Sequence, residues 1–479
     1  MTFSVSKAAS KQAMGSHSWL GLLVAVFMYW VCLSGTLAVL APDLTRWEQP
    51  QIAPGVSYDP AMLQKAYEQL LSEHDSFTGL VTMRLPTPDV PKAYLSANGQ
   101  AWFITEQGTL GTPKSHPVTD FIAELHAELH LPHSIGELVV SVLGVMLTGL
   151  IISGIVAHRR ILKDAFRLRR QGNPVQSDAD LHNRLSVWGL PFYLMIALTG
   201  AYFGLAGPLN KYYAEVLYEG DQMALFADVY GGVPAAPAYN GKLDLPEAFR
   251  QLHQQAPSAQ PLFITFEKAG QDDQYLLMGA RHHDKFIYSE QYRFDAMGNY
   301  LDKVGFAGGE PGQEAIFSVY RLHFGHFGGP LVLLVYIGLG FALTVITISG
   351  INLWLRKRHQ TDVVNDYWVA VVWGTPVAFA CAALLHWTGF VAVTGAFWAM
   401  LALLAVYSAI KRNPAQVRRQ LVAASALTIL LMAAVHWLRF DLAYTDPMAG
   451  FINVGWVVIA LLLGGYWRSL AAVPVANRG

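Results

Sequence analysis

Leu125-His126-Ala127-Glu128-Leu129-His130 stands just ahead of an apolar run, residues 138–157, that reads LVVSVLGVMLTGLIISGIVA. Further along, Leu322-His323-Phe324-Gly325-His326 stands ahead of a second such run, residues 330–355. A helix that crosses a bilayer needs about 20 mostly apolar residues. Both runs are long enough, so each histidine group sits at the mouth of a span. Six more runs qualify: 19–40, 185–205, 368–386, 390–410, 421–437 and 448–466. Hydrophobic residues make up 53% of the 479 residues and charged residues only 14%, a balance that suits a polytopic membrane protein and not an ordinary soluble one. The first run is too long and too poor in cleavage signals to be a removable signal peptide, and reads as an anchor.

Lys and Arg set the expected orientation. The basic residues gather at Lys7 and Lys11, at His158-Arg159-Arg160 with Lys163, Arg167, Arg169 and Arg170, at Arg356-Lys357-Arg358, at Lys411, Arg412, Arg418 and Arg419, and at Arg468. Eight spans with a cytoplasmic N-terminus put all of them inside, with the C-terminus inside as well. Residues 41–135 and 206–329 then lie outside the membrane on the opposite face. A net charge of −1 singles out no partner, and no nucleic acid is expected. Cys32 and Cys381 fall inside predicted spans and read as small apolar residues.

The two outer segments share a plan. Asp59-Pro60 caps an amphipathic helix over 61–71, followed by strand-like runs at 79–85, 92–96 and 101–105 and a turn at Gln107-Gly108. Asp244 caps a helix that runs to Gln255, followed by strand-like runs at 261–267, 274–280 and 291–294 and a turn at Met297-Gly298-Asn299. The membrane parts repeat too. Ser153-Gly154 near the end of the second span matches Ser349-Gly350 near the end of the fourth. The chain is therefore an internal duplication, span, lobe, span, followed by four spans that read as an added bundle. The expected division is 1–40, first span; 41–125, first lobe; 126–206, spans two and three with a basic loop; 207–322, second lobe; 323–360, span four; 361–479, the C-terminal bundle. The fold class is an α-helical polytopic membrane protein of about eight spans with two small α+β lobes.

Histidine is cheap in water and awkward in lipid. Those at helix mouths form two layers. His17, His158 and His182 lie at the cytoplasmic side; His126, His130, His323 and His326 lie at the outer side. His133 and His359 are weaker members. His386 and His436, near the outer ends of spans five and seven, read as interfacial. Neutral imidazoles on facing helices can hold haem iron, which suggests two b-type haems, one near each face. Glycines near these positions, among them Gly21, Gly144, Gly189, Gly328, Gly329 and Gly340, leave flat room for a macrocycle. The i, i+4 pair His126/His130 and the i, i+3 pair His323/His326 suit Zn²⁺ or Cu²⁺ as an alternative. No His-Glu-x-x-His order is present, which disfavours a zinc protease, and no Cys-x-x-Cys-His motif for covalent haem attachment.

These motifs resemble the bacterial PepSY-associated transmembrane proteins. The similar stretches are His17-Ser18-Trp19-Leu20-Gly21-Leu22 with Leu33-Ser34-Gly35-Thr36-Leu37, the run Ser153-Gly154 through Phe166, Asp180-Leu181-His182-Asn183 ahead of Leu190-Pro191-Phe192-Tyr193, and Leu322-His323-Phe324-Gly325 with Phe327-Gly328-Gly329. The resemblance covers residues 15–360 well and the last four spans loosely. It implies PepSY-like lobes, a bacterial inner-membrane location and the activity of a haem-bearing ferric-siderophore reductase. Its pattern falls on His17, His126, His158, His182 and His323. His130 and His326 are not pattern positions and become second choices. The outer haem is then expected on His126 and His323. The inner haem is expected on His17 and His182, since both precede outward-going helices. His158 is the alternative ligand or a propionate partner, a role Arg159 and Arg160 also suit. The expected partners are a ferric siderophore or other Fe(III) complex, membrane lipid, and an electron donor that is either quinol or a cytoplasmic reductant. Two other classes fit less closely: a non-redox module whose PepSY lobes bind an envelope protein, and a transporter. The near absence of charge in spans five to eight disfavours the transporter.

Overall fold

The computed structural model describes residues 6–74, 76–88, 90–158, 174–235, 237, 243–306, 311–389, 391–440 and 446–471. The helices are α1 (Lys7–Ala38), α2 (Ala41–Glu48), α3 (Pro60–Glu73), α4 (Pro117–Ala127), α5 (His133–Ala157), α6 (Pro174–Trp188), α7 (Leu190–Leu217), α8 (Gln222–Tyr230), α9 (Leu245–Gln255), α10 (Pro311–Phe324), α11 (Gly329–Lys357), α12 (Val363–His386), α13 (Val393–Lys411), α14 (Pro414–Arg439) and α15 (Pro447–Ala471). The strands are β1 (Val81–Arg84), β2 (Tyr94–Ala97), β3 (Gln100–Ile104), β4 (Leu110–Pro113), β5 (Gln260–Glu267), β6 (Tyr275–Arg281), β7 (Glu290–Asp295) and β8 (Tyr300–Val304). Among the described residues eight helices are long and apolar enough to cross a membrane: α1, α5, α7, α11, α12, α13, α14 and α15. These are the eight runs read from the sequence, and the chain is a multi-pass membrane protein.

The chain forms two compact units. One comprises residues 1–51, 116–205 and 330–479; the other comprises 52–115 and 206–329. In the first, α1 packs along α5 and α4, and α12 packs against α13 and α14. Tyr29 on α1 donates to the Val372 carbonyl at 2.7 Å, and the Trp30 indole donates to Thr375 Oγ1 at 3.1 Å. These bonds tie the first span to α12, so the C-terminal helices belong to the same body as the duplicated ones. Both cysteines are free thiols.

In the second unit the two expected α+β lobes share one antiparallel sheet of eight strands, ordered β4-β3-β2-β1-β5-β6-β7-β8. Each half contributes four strands, and the halves join where β1 pairs with β5, with Thr82 opposite Thr265. The two turns expected to end the lobes instead lead into fourth strands. β4, Leu-Gly-Thr-Pro, and β8, Tyr-Leu-Asp-Lys-Val, are the sheet's edges, where Pro and charge are tolerated and apolar alternation is weak. One face of the sheet is covered by α3 and α9, whose Leu63, Tyr67, Leu70, Leu245, Ala248 and Leu252 meet Val81, Met83, Ile264 and Phe266. Both aspartate caps are in place: Asp59 accepts from the Ala61 amide at 2.9 Å and Asp244 from the Glu247 amide at 2.8 Å. The duplication reaches the turn glycines. A β-carbon on Gly108 would lie 2.6 Å from the Met62 carbonyl oxygen, and one on Gly298 would lie 2.5 Å from the Ala248 amide, so each turn presses on the start of its own helix.

Candidate functional site

His17 lies in the early part of α1, facing α5. Its Nδ1 is 3.0 Å from the Leu150 carbonyl oxygen and 3.3 Å from Ser153 Oγ. His182 on α6 makes the same pair of contacts with α11: Nδ1 is 3.0 Å from the Ile346 carbonyl oxygen and 3.3 Å from Ser349 Oγ. A carbonyl only accepts, so each ring donates from Nδ1 and keeps an unprotonated Nε2 with a lone pair available for a metal. The glycine after each serine allows the approach. A β-carbon on Gly154 would come within 3.3 Å of His17 Cε1, and one on Gly350 within 3.2 Å of His182 Cε1. The two copies of this pocket face one another. The His17 and His182 ring centroids are 6.2 Å apart, with planes at 83°. Two imidazoles on opposite sides of one metal, with metal–nitrogen bonds of about 2 Å, place their centroids roughly 6 Å apart. The donor type and the centroid spacing are those of two imidazole ligands on one metal.

His126 sits at the end of α4, a short helix separate from α5, and not at the head of the span itself. Its Nδ1 is 2.9 Å from the Val31 carbonyl oxygen on α1, and its ring lies flat against Gly35, where a β-carbon would be only 2.6 Å from Cε1. Burial pushes the His126 pKa down, opposed by the Val31 hydrogen bond, which favours the neutral imidazole that a metal requires. Val31 and Gly35 lie 14 and 18 residues beyond His17 on the same helix, roughly 21 to 27 Å at 1.5 Å per residue. The His17–His182 pair and His126 thus stand toward opposite ends of the first span.

The α4 helix is anchored by residues that nothing in the sequence reading singled out. Glu48 at the end of α2 accepts from the Val118 amide at 2.9 Å, the Thr119 amide at 2.7 Å and Thr119 Oγ1 at 2.6 Å, placing a carboxylate on the α4 N-terminus. Next to it, the Trp47 indole donates to Asn453 Oδ1 at 2.9 Å, and Trp47 stacks on His436 at 4.6 Å. Arg46 holds Asp446 with two bonds of 2.8 Å. Through these contacts α14, α15 and the residues just before α15 brace the helix that carries His126. An Asn inside an apolar run and an Asp just before one are the only local signals. Their partners lie some 400 residues away, which no local pattern reveals.

His436 was read as interfacial, but it is fully buried. Its Nε2 is 2.7 Å from the Trp47 carbonyl oxygen and its Nδ1 accepts from the Asn453 amide at 3.0 Å. His130 is also engaged at both nitrogens: Nε2 is 2.9 Å from the Phe121 carbonyl oxygen, and Nδ1 accepts from the Trp398 indole at 3.1 Å. In this structure both nitrogens of each ring are engaged in hydrogen bonds. His158 closes α5, its backbone amide donating to the Gly154 carbonyl at 3.2 Å. Arg159 and Arg160 lie outside the described residues. His133 is exposed beside Glu128 and Glu137, and the ligand atoms of these three lie within 4.8 Å of one another. His323 and His326 belong to the second unit. His323 meets the Phe324 ring edge-on at 5.5 Å and His326 stacks on it at 5.9 Å, while the His326 carbonyl accepts from Arg321 at 3.0 Å.

Among the described residues, eight helices long and apolar enough to span a membrane, a duplicated histidine pocket and a two-part antiparallel sheet define a polytopic membrane protein built by internal duplication. A family model for the PepSY-associated TM region matches residues 15–357, and the chain belongs to that family. It is 27% identical over 256 residues to the uncharacterized protein PA4219 of Pseudomonas aeruginosa, an alignment that takes in 50% of this chain. The chain spans 64% of that relative's length.

Proposed function

We propose that this protein is a di-haem b oxidoreductase of the bacterial inner membrane. It passes electrons across the bilayer to a periplasmic Fe(III) complex, a ferric siderophore, with both termini in the cytoplasm. His17 and His182 would hold one haem, and His126 would be a ligand to the other. Haem bound in this way supplies a reversible one-electron carrier. The chain's own residues do the rest. The Leu150 and Ile346 carbonyls hold the imidazoles in one tautomer and one orientation, Gly154, Gly350 and Gly35 let the rings lie close against neighbouring helices, and the surrounding spans exclude water. At the outer face, reduction of Fe(III) to Fe(II) loosens the grip of hard oxygen ligands and releases the iron. The electron donor is membrane quinol or a cytoplasmic reductant. The observation that carries the reading is the His17–His182 spacing of 6.2 Å with both Nδ1 atoms tied to carbonyls.

The test is a visible spectrum of the full chain purified in detergent, oxidised and dithionite-reduced. The expected result is b-type Soret and α bands with two haems per chain. A folded but colourless protein, made with haem available, overturns the reading and leaves a PepSY binding module as the alternative.

A further inference from the structure

Where α11 ends and α12 and α14 begin, the helices enclose a cavity of about 760 Å³. Its lining mixes two chemistries: polar and charged Arg356, His359, Gln360, Asn365 and Arg418, and apolar or aromatic Val369, Val372, Trp373 and Tyr466. Arg356 is already paired with Asp178 at 2.7 Å. Arg418 differs: its Nε is buried and, among the described residues, makes no hydrogen bond. A buried guanidinium N–H without an acceptor is unusual and costly. Pro414 and Ala415, the first turn of α14, also line the cavity, so the positive end of that helix adds to the arginines.

We propose that this cavity is a binding site for an acidic phospholipid. The phosphate diester would accept from Arg418 and its cationic neighbours, and an acyl chain would lie along Val369, Val372, Trp373 and Tyr466. A basic pocket between membrane helices, open to the basic side of a bundle, is the setting in which such headgroups bind. Arg matches phosphate geometry better than any other side chain. A neutral quinone would use the apolar wall but offer no anionic acceptor to Arg418, so charge favours the lipid. The cavity lining includes none of the residues that contact His17 or His182, and its test does not require haem.

The test is native mass spectrometry of the full chain released from nanodiscs of phosphatidylcholine containing a minority of phosphatidylglycerol, together with the thermal shift produced by short-chain phosphatidylglycerol in detergent. Wild type should retain phosphatidylglycerol over phosphatidylcholine and gain thermal stability from it. Arg418→Gln should reduce retention by about tenfold, the loss of roughly one charge-assisted hydrogen bond. Ala415→Glu, at an exposed position where folding is not at stake, should lower retention as well by placing an acid at the mouth. Equal retention of both lipids, undiminished retention in both variants, or retention of a neutral quinone in place of the lipid would overturn the proposal.

Discussion

His182 and His436 both sit among packed helices, and composition alone gives no reason to treat them differently. Their hydrogen bonds do. His182 spends one nitrogen on a carbonyl and a serine, whereas His436 spends both, one on the Trp47 carbonyl and one on the Asn453 amide. The first is oriented and still able to bind a metal; the second is a structural cross-link. His17 sorts with His182, and His130 sorts with His436. Enclosure therefore does not separate these histidines, whereas the count of uncommitted ring nitrogens does.

The largest expected effect separates the two kinds of histidine directly. On the proposed di-haem reading, His182→Ala should remove one of the two haems, measured by the pyridine haemochrome assay, with the chain still folded. His436→Ala should keep both haems. It should instead cost about 3 kcal/mol, because it leaves a cavity and the buried Asn453 amide loses its acceptor. If His436→Ala lost haem selectively while keeping its thermal midpoint, the division drawn above would fail. Breaking the Arg46–Asp446 pair tests the same brace from another side. Asp446→Ala should lower the thermal midpoint by an amount equivalent to about 3 kcal/mol, since Asp446 is fully buried and the guanidinium would lose both its bonds.

A smaller effect compares the two ends of α1. Gly35→Ala would put a methyl group 2.6 Å from His126 Cε1, so the ring must move, and the spectrum of the second haem should shift or fade. Gly154→Ala brings its methyl only to 3.3 Å from His17 and should change the first haem's spectrum less. Equal spectral changes in the two variants would show that ring clearance does not set the sites apart. The smallest effect belongs to the exposed His133. Its Nδ1 lies 2.6 Å from Glu128 at an exposed position. His133→Ala should therefore lower the thermal midpoint only slightly, and added salt should erase the difference.

The spans were legible because 20 apolar residues in a row admit few other readings. The lobe helices were legible because Asp59-Pro60 and Asp244 announce their caps. The histidines at the span mouths could be found by position, and Ser153-Gly154 and Ser349-Gly350 already marked the pockets that receive two of them. The choice between ligand and cross-link could not be read in this way. It depends on Trp398 meeting His130 and Asn453 meeting His436, contacts between distant segments that leave no trace in local pattern. β4 and β8 escaped because edge strands need no apolar alternation. The β1–β5 seam escaped because each strand by itself looks like an ordinary member of its own half.

That seam has a consequence for how the protein is made. β1 ends at Arg84 and its partner β5 begins at Gln260, so the first half-sheet is synthesised long before the strand that covers its inner edge. Two further spans, α5 and α7, must enter the bilayer in between. During that interval β1 offers unpaired backbone groups, which makes it an open template for mispairing. Pairings so distant in sequence also close slowly. The waiting edge is only four residues long, a short target for a wrong partner. Completion of the eight-stranded sheet therefore waits until the strands of both halves of the duplication have been synthesised.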